Sequence, residues 1–174
     1  MGKFTVVGRE KMVEMLPYRR SALFIGPVKI DWTGKIKKAT ARLQMNADDY
    51  ATLIEDHFGF IPGHFYIEAI NLVAAVLALK LRQRVSHRKP NRIPVIAITG
   101  KTRNGGGELA TLQDNIVVEA EVVRGPKRTS AGFVGRVYIT DDKGVELREL
   151  CKMEGESTGM LVDPKKLNSK LHGG

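Results

Sequence analysis

The chain is poor in cysteine and in aromatic residues. It contains one cysteine, Cys151, in 174 residues, and 6% of its residues are aromatic. A single cysteine cannot form an internal disulfide, and Cys151 lies in an alternating segment typical of a strand. We therefore predict a reduced thiol that packs as a small hydrophobic side chain.

Long hydrophobic runs are also missing. The start, Met1–Val6, has no apolar signal core, and the apolar run Leu72–Leu79 is much shorter than the roughly 20 residues that cross a bilayer. These absences predict a soluble cytoplasmic protein without a membrane partner.

Basic residues exceed acidic ones, and the formal net charge is +9. An acidic partner is therefore plausible. The chain shows no zinc-ligand spacing, no RNA-binding aromatic signature and no helix-turn-helix pattern, so we predict no nucleic acid partner. The basic residues are densest at Arg82, Arg84, Arg88, Lys89 and Arg92. The simpler interpretation of this run is a solvated helix end, where cations are favourable against the helix dipole.

Hydrophobic periodicity predicts one long helix and several strands. The helix is expected from about residue 63 to 85, because positions 65–81 are almost all apolar. An α+β architecture follows, with an antiparallel sheet wrapped around the helix to cover it. We predict one domain over 1–160 and a loosely ordered basic tail over 161–174. Strands are expected near 22–30, 35–45, 95–101, 115–124, 132–140 and 145–153, and short helices near 10–15 and 47–54.

Three polar residues interrupt the apolar helix. His64, Glu68 and Asn71 are spaced i, i+4 and i+7, so they share one helical face. That face must border either solvent or a lined cavity. In the functional interpretation Glu68 is a general acid, whereas in the structural one it is an edge glutamate with its carboxylate in water.

The order of several motifs resembles the hot-dog-fold β-hydroxyacyl-acyl carrier protein dehydratases. His57-Phe58, Pro62-Gly63 and Glu68-Ala69 resemble the His-Phe, Pro-Gly and Glu-Ala elements of that family. The segment 15–25 resembles the family's opening turn and first strand, and 98–101 and 115–125 resemble later strands. The resemblance covers about residues 12–154 and implies a hot-dog fold.

The resemblance implies catalytic roles for His57 and Glu68, with backbone N–H groups of Gly63 and His64 stabilising an oxyanion. His57 stands eleven residues before Glu68, which is closer than in the family, and Asp56 replaces the glycine that normally precedes the histidine. A competing alignment uses Gly63-His64-Phe65 as the His-Phe element. We favour His57.

The implied activity is dehydration of β-hydroxyacyl thioesters in fatty acid biosynthesis, by a 3-hydroxyacyl-acyl carrier protein dehydratase. The expected substrate carrier is acyl carrier protein or coenzyme A, the basic run is a possible docking site for the carrier, and a homodimer or higher homo-oligomer is implied. No metal or other cofactor is expected. Two alternatives stay open: a hot-dog acyl thioesterase, and a non-catalytic acyl-binding or regulatory protein. Acyl chain length is not predicted.

Overall fold

The computed structural model describes residues 3–16, 23–45, 59–86, 93–97, 101–104, 109–127 and 130–162. Its helices are α1 (Arg9–Met15) and α2 (Gly63–Ser86). Its strands are β1 (Phe4–Val7), β2 (Val28–Asp31), β3 (Lys37–Arg42), β4 (Ile93–Ala97), β5 (Lys101–Asn104), β6 (Asn115–Lys127), β7 (Ser130–Thr140), β8 (Glu146–Glu154) and β9 (Ser157–Val162).

The long helix α2 forms the centre of the core. Ile70, Val73, Val76 and Leu77 have no exposed surface, and burial of each such side chain contributes roughly 1.5–3 kcal/mol. The helix packs mainly against β6, and also against β3 and β7. A sheet curved around one apolar helix follows from this packing, as predicted.

The whole helix α2 is longer and more apolar than its uninterrupted apolar run, Leu72–Leu79, suggests. Gly63–Arg84 has the length and composition of a membrane span, although 61% of that window is buried inside the fold. The burial identifies α2 as the core helix of this fold.

All strand pairs between the named strands are antiparallel, and the main path through the sheet is β1-β2-β3-β6-β7-β8-β5. One edge of β7 pairs with β6. Along its other edge, β8 pairs with the second half of β7 and β9 pairs with the first half. Gly155, at φ +111°, lies between β8 and β9 and permits the bend there. On its other side β9 pairs with β4, where Pro94 is tolerated because β4 has no second partner strand among the described residues.

The predicted helices and strands agree well with the structure where the hydrophobic pattern of the sequence is periodic. The long helix and the strands near 115–124, 132–140 and 145–153 lie where the alternation placed them. The strand expected over 22–30 is short, since only Val28–Asp31 forms it and Ile25 makes an isolated bridge to Leu43. The strand expected near 95–101 is β4, Ile93–Ala97, and only its last residue belongs to β5. The strands β1, β5 and β9 were therefore not predicted, and β9 runs two residues past the expected domain end. The helix predicted near 47–54 and most of the tail lie outside the described residues.

Candidate active site at the start of the central helix

The start of α2 is fixed to the loop that precedes β6. The N–H of Ile61 donates to the carbonyl of Ala110 at 2.9 Å, and the N–H of Phe65 donates to the carbonyl of Pro62 at 3.1 Å. Phe65 also contacts Phe24 edge-on, with ring centroids 5.2 Å apart. The buried residues Ile61 and Pro62, held by these hydrogen bonds, therefore determine where the helix begins.

The first turn of α2 contains no acidic side chain. The first N–H groups of a helix lack intrahelical acceptors, and they carry the positive end of the helix dipole. Without a carboxylate in the first turn, these donors at Gly63 and His64 are not neutralised by the helix's own residues. They are suited to an anionic or polarised oxygen.

The predicted polar stripe is present on α2. His64 and Glu68 are exposed and Asn71 is partly buried, whereas Phe65, Tyr66 and Ala69 between them are buried. The side chains of His64 and Glu68 therefore project from the same face, one turn apart. Within the single chain, the described residues leave the Glu68 carboxylate open to solvent and do not enclose it in a cavity.

Asn71 extends the stripe towards the core. Its Oδ1 atom is buried and has no hydrogen-bond partner among the described residues, which is unusual because buried acceptors are nearly always satisfied. The i+7 spacing from His64 predicted Asn71 on the stripe, and Asn71-Leu72 stands about where the dehydratases have a glutamine, but no role was predicted for Asn71. An unsatisfied acceptor next to Glu68 identifies it as a further candidate residue of the site.

His57 lies outside the described residues, and so do Arg88, Lys89 and Arg92. Its proposed partnership with Glu68 stays a prediction. His64, the histidine of the competing alignment, is described by the structure. It lies on α2, on the same face as Glu68.

The described part of the basic run is only partly available to a partner. Arg82 and Arg84 lie in the last turns of α2 and are half-buried. The guanidinium carbon of Arg84 lies 4.0 Å from the centre of the Trp32 ring. Arg84 thus has a structural contact that the sequence did not predict.

Two other titratable groups are buried away from the stripe. Burial raises the pKa of the Tyr66 hydroxyl, and burial with the nearby charge of Glu149 raises the pKa of the Cys151 thiol to about 11. A thiol with such a pKa is protonated and unreactive at neutral pH. Among the described residues no group of histidine, cysteine, aspartate and glutamate side chains is arranged to hold a metal ion.

No protein-family model matches the chain, and no curated protein matches it in sequence. Solved structures do match. The dehydratase heterocomplex ApeI:P from Xenorhabdus doucetiae aligns with a TM-score of 0.66 at 10% identity, covering 92% of this chain and 97% of that one. A proposed thioesterase, yhdA from Lactococcus lactis, aligns with a TM-score of 0.54 at 10% identity, covering 80% of this chain and 93% of that one.

At such low identity these matches show the fold alone. The curved antiparallel sheet, the apolar central helix and both alignments agree. The chain therefore has the hot-dog fold.

Proposed function

We propose that the chain dehydrates β-hydroxyacyl thioesters carried on acyl carrier protein to trans-2-enoyl thioesters, in fatty acid biosynthesis. The observation that carries the proposal is the exposed Glu68 on the central helix, in the turn after a helix start without acidic residues. This arrangement supplies a proton donor or acceptor close to a set of backbone donors.

Dehydration removes the α proton and expels the β-hydroxyl group. In our proposal neutral His57 takes the α proton, and Glu68 protonates the departing hydroxyl, which leaves as water. The electrons of the broken C–H bond form the new double bond. These steps use no metal and no redox cofactor.

The enolate that develops on the thioester oxygen needs hydrogen-bond donors. The N–H groups of Gly63 and His64 at the start of α2 are suited to this task, since they are preorganised by the helix and lie at its positive end. Gly63 has no side chain, so a thioester can approach the backbone closely. Loss of such a donor typically costs about 100-fold or more in turnover.

The exposed stripe also supports a homodimer. In the dehydratases that this chain resembles, the histidine and glutamate of one site come from different protomers. A second copy that covers His64 and Glu68 would enclose the carboxylate that a single chain leaves in solvent. We propose that the active form is at least a homodimer.

The carrier docks, in this proposal, on the basic residues in the last turns of α2 and in the sequence that follows it. The residues proposed to meet the carrier's acidic side chains are Arg82, Arg84, Arg88, Lys89 and Arg92, of which Arg84 also contacts Trp32. An acyl-coenzyme A thioester is the alternative substrate.

Thioester hydrolysis is the second candidate function. The exposure of Glu68 favours it, because a carboxylate that activates water for attack needs access to solvent. A third possibility, acyl binding without turnover, would leave His57 and Glu68 as a polar pair with no catalytic role.

Hydration of crotonyl-acyl carrier protein, the reverse reaction, tests the proposal. We expect turnover by the native protein and a loss of at least about 100-fold in both His57→Ala and Glu68→Gln. His64→Ala distinguishes the competing alignment, because it should keep most activity if His57 is the base. Glu10→Gln, an exposed glutamate of α1, is the matched control and should not change the rate.

Product analysis separates the alternatives. Release of free acid and thiol without hydration would identify a thioesterase, and saturable binding of the thioester without either reaction would identify a non-catalytic protein. Either result would overturn the dehydratase assignment.

A further inference from the structure

A basic surface lies where the turn between β2 and β3 meets the end of α2. The turn comprises residues 32–36, and its residues Lys35 and Ile36 are exposed. The sequence contains no acidic residue over positions 32–47 or over positions 69–107. The two segments that meet here therefore carry positive charge that their own residues do not neutralise.

Trp32 joins the turn to the helix. The guanidinium carbon of Arg84 lies 4.0 Å from the centre of the Trp32 ring. The Nζ atom of Lys37 donates to the carbonyl of Trp32 at 2.9 Å and also to the carbonyl of Gly34. A ring or a carbonyl does not neutralise a cation, so the charges of both side chains persist. Two cations from distant parts of the sequence thus flank one tryptophan.

The nearest carboxylate in the sequence, Asp31, is engaged within the same turn. Its Oδ1 atom accepts from the N–H of Thr33 at 2.8 Å and from the Thr33 hydroxyl at 2.7 Å. Among the described residues Asp31 forms no ion pair. The cations of the surface therefore outnumber its carboxylate, which favours a negatively charged partner.

Ile36 adds an apolar contact to this charge. It is 51% exposed, although isoleucine is among the residues most often buried, and it stands between Lys35 and Lys37. A soluble acidic polymer offers nothing that an aliphatic side chain would bind. The boundary of an anionic membrane offers both, because its head groups attract the lysines and its acyl region accepts the isoleucine.

We propose that the surface formed by Lys35, Ile36, Lys37 and Arg84 docks on an anionic lipid membrane. In this contact Ile36 enters the boundary between head groups and acyl chains, and the three cations stay at the head groups. The expectation of no membrane partner rested on the absence of a spanning segment, and a peripheral contact needs none, since α2 stays in the core. The proposal concerns binding alone and is independent of the proposed activity.

Co-sedimentation of the full chain with lipid vesicles tests the proposal. The vesicles contain phosphatidylcholine alone, or phosphatidylcholine with phosphatidylglycerol at about 3:1. We expect a partition coefficient at least about tenfold higher on the anionic vesicles. Lys35→Gln should lower it about fivefold, the equivalent of about 1 kcal/mol for one basic residue. Ile36→Gln should lower it by a similar factor through loss of apolar contact.

Lys143→Gln and Leu147→Gln are the matched controls. Lys143 is an exposed lysine of the turn between β7 and β8, and Leu147 is 64% exposed on β8. That turn lies at the other end of the strands, because Lys37 pairs with Val122 of β6 whereas Thr140 pairs with Asn115. The separation along β6 is about 20 Å, so neither control should change binding.

Equal binding to neutral and anionic vesicles, or binding that is unchanged in Lys35→Gln, would overturn the proposal. A loss in Lys35→Gln without a loss in Ile36→Gln would also overturn it, because it would identify a purely electrostatic surface for a soluble acidic partner. Both residues are exposed, so each variant should melt as the native protein does, and reduced binding then reports the surface and not the fold.

Discussion

The guanidinium of Arg84 stacks over the ring of Trp32 at 4.0 Å and ties the end of the central helix to the first strands of the sheet. The indole N–H of Trp32 donates to the Thr5 hydroxyl at 2.8 Å, and its backbone N–H donates to the carbonyl of Lys3 at 3.0 Å. One tryptophan thus connects β1, the turn after β2 and the last turns of α2.

We expect Arg84→Gln to lower the free energy of unfolding by about 1 kcal/mol through loss of the cation–π contact. A double-mutant cycle with Trp32→Leu measures this contact directly by urea unfolding. A coupling energy near zero would contradict it. Carrier binding should survive Arg84→Gln if docking uses the other basic residues.

Glu119 is the most buried member of a charge network on the outer face of the sheet. Its carboxylate accepts from Arg136 Nε at 3.0 Å and pairs with Lys38 Nζ at 3.2 Å, with only 9% of the side chain exposed. Neighbouring Glu121 pairs with the same lysine but is more exposed.

Glu119→Gln should therefore destabilise the fold by about 1–3 kcal/mol, because it weakens two charge-assisted contacts at a buried position. Glu121→Gln, the matched control, should cost less than about 1 kcal/mol. Urea midpoints of the two variants compare them. Equal losses of stability in the two variants would mean that the burial of Glu119 does not strengthen its contacts with Arg136 and Lys38.

Much of the fold could be predicted because the core residues of its long helix and strands follow the hydrophobic periodicity of those elements. Alternation in Ile116, Val118, Ala120 and Val122 marks β6, and these four residues are buried as a set. Short edge elements carry no such signal. In β1, for example, Phe4 and Val6 are exposed, so nothing in the pattern requires a strand there.

The site was harder to predict, because its properties depend on what surrounds the helix. The spacing of His64, Glu68 and Asn71 was sufficient to place them on one face. It could not reveal that Glu68 is exposed in the single chain or that Arg84 contacts Trp32. Each of these depends on contacts between segments far apart in the sequence.

Gly135 allows β7 to approach the central helix closely. A Cβ atom at this position would lie 2.3 Å from Ile70 Cγ2 and 2.8 Å from the carbonyl oxygen of Glu119. We expect Gly135→Ala to lower the free energy of unfolding by about 1–3 kcal/mol through overpacking.

Gly8→Ala is the comparison for added bulk, because a Cβ atom there meets nothing within 4 Å; since Gly8 is the N-cap of α1, we expect a loss of about 1 kcal/mol or less. Thermal melting of the two variants tests the prediction. A melting temperature of Gly135→Ala equal to that of the native protein would show that α2 can shift to make room.

Burial of Cys151 gives the fold a predicted pH dependence on the alkaline side. The pKa of this thiol rises from 9.0 to about 11, mainly through burial. Below pH about 9 the thiol is protonated in both the folded and the unfolded chain, so its contribution is constant. Above that pH only the unfolded chain ionises, and stability falls by up to about 2–3 kcal/mol as the pH approaches 11.

Urea unfolding of the native protein and of Cys151→Ala at about pH 8 and about pH 10 isolates this contribution, because the other titrating groups are common to both. Stability should fall more steeply with pH in the native protein. If the free energy of unfolding changes equally with pH in the two proteins, ionisation of the thiol does not contribute to the pH dependence.

Asn71 links stability to the proposed activity. Its buried Oδ1 atom has no partner in the part of the chain that the structure describes, so Asn71→Leu removes an acceptor that those residues leave unsatisfied. Stability should stay constant or rise by up to about 1 kcal/mol. Turnover of crotonyl-acyl carrier protein should nevertheless fall about three- to tenfold, because we expect this oxygen to accept a hydrogen bond from the bound substrate or from a protonated Glu68.

Gln83→Leu replaces another half-buried amide of α2, near the far end of the helix, and should leave turnover unchanged. The combination of retained stability and reduced turnover in Asn71→Leu alone would identify an acceptor reserved for the reaction. A loss of stability with unchanged turnover would instead mean that Asn71 has a structural partner, such as a second copy of the chain packed on the stripe.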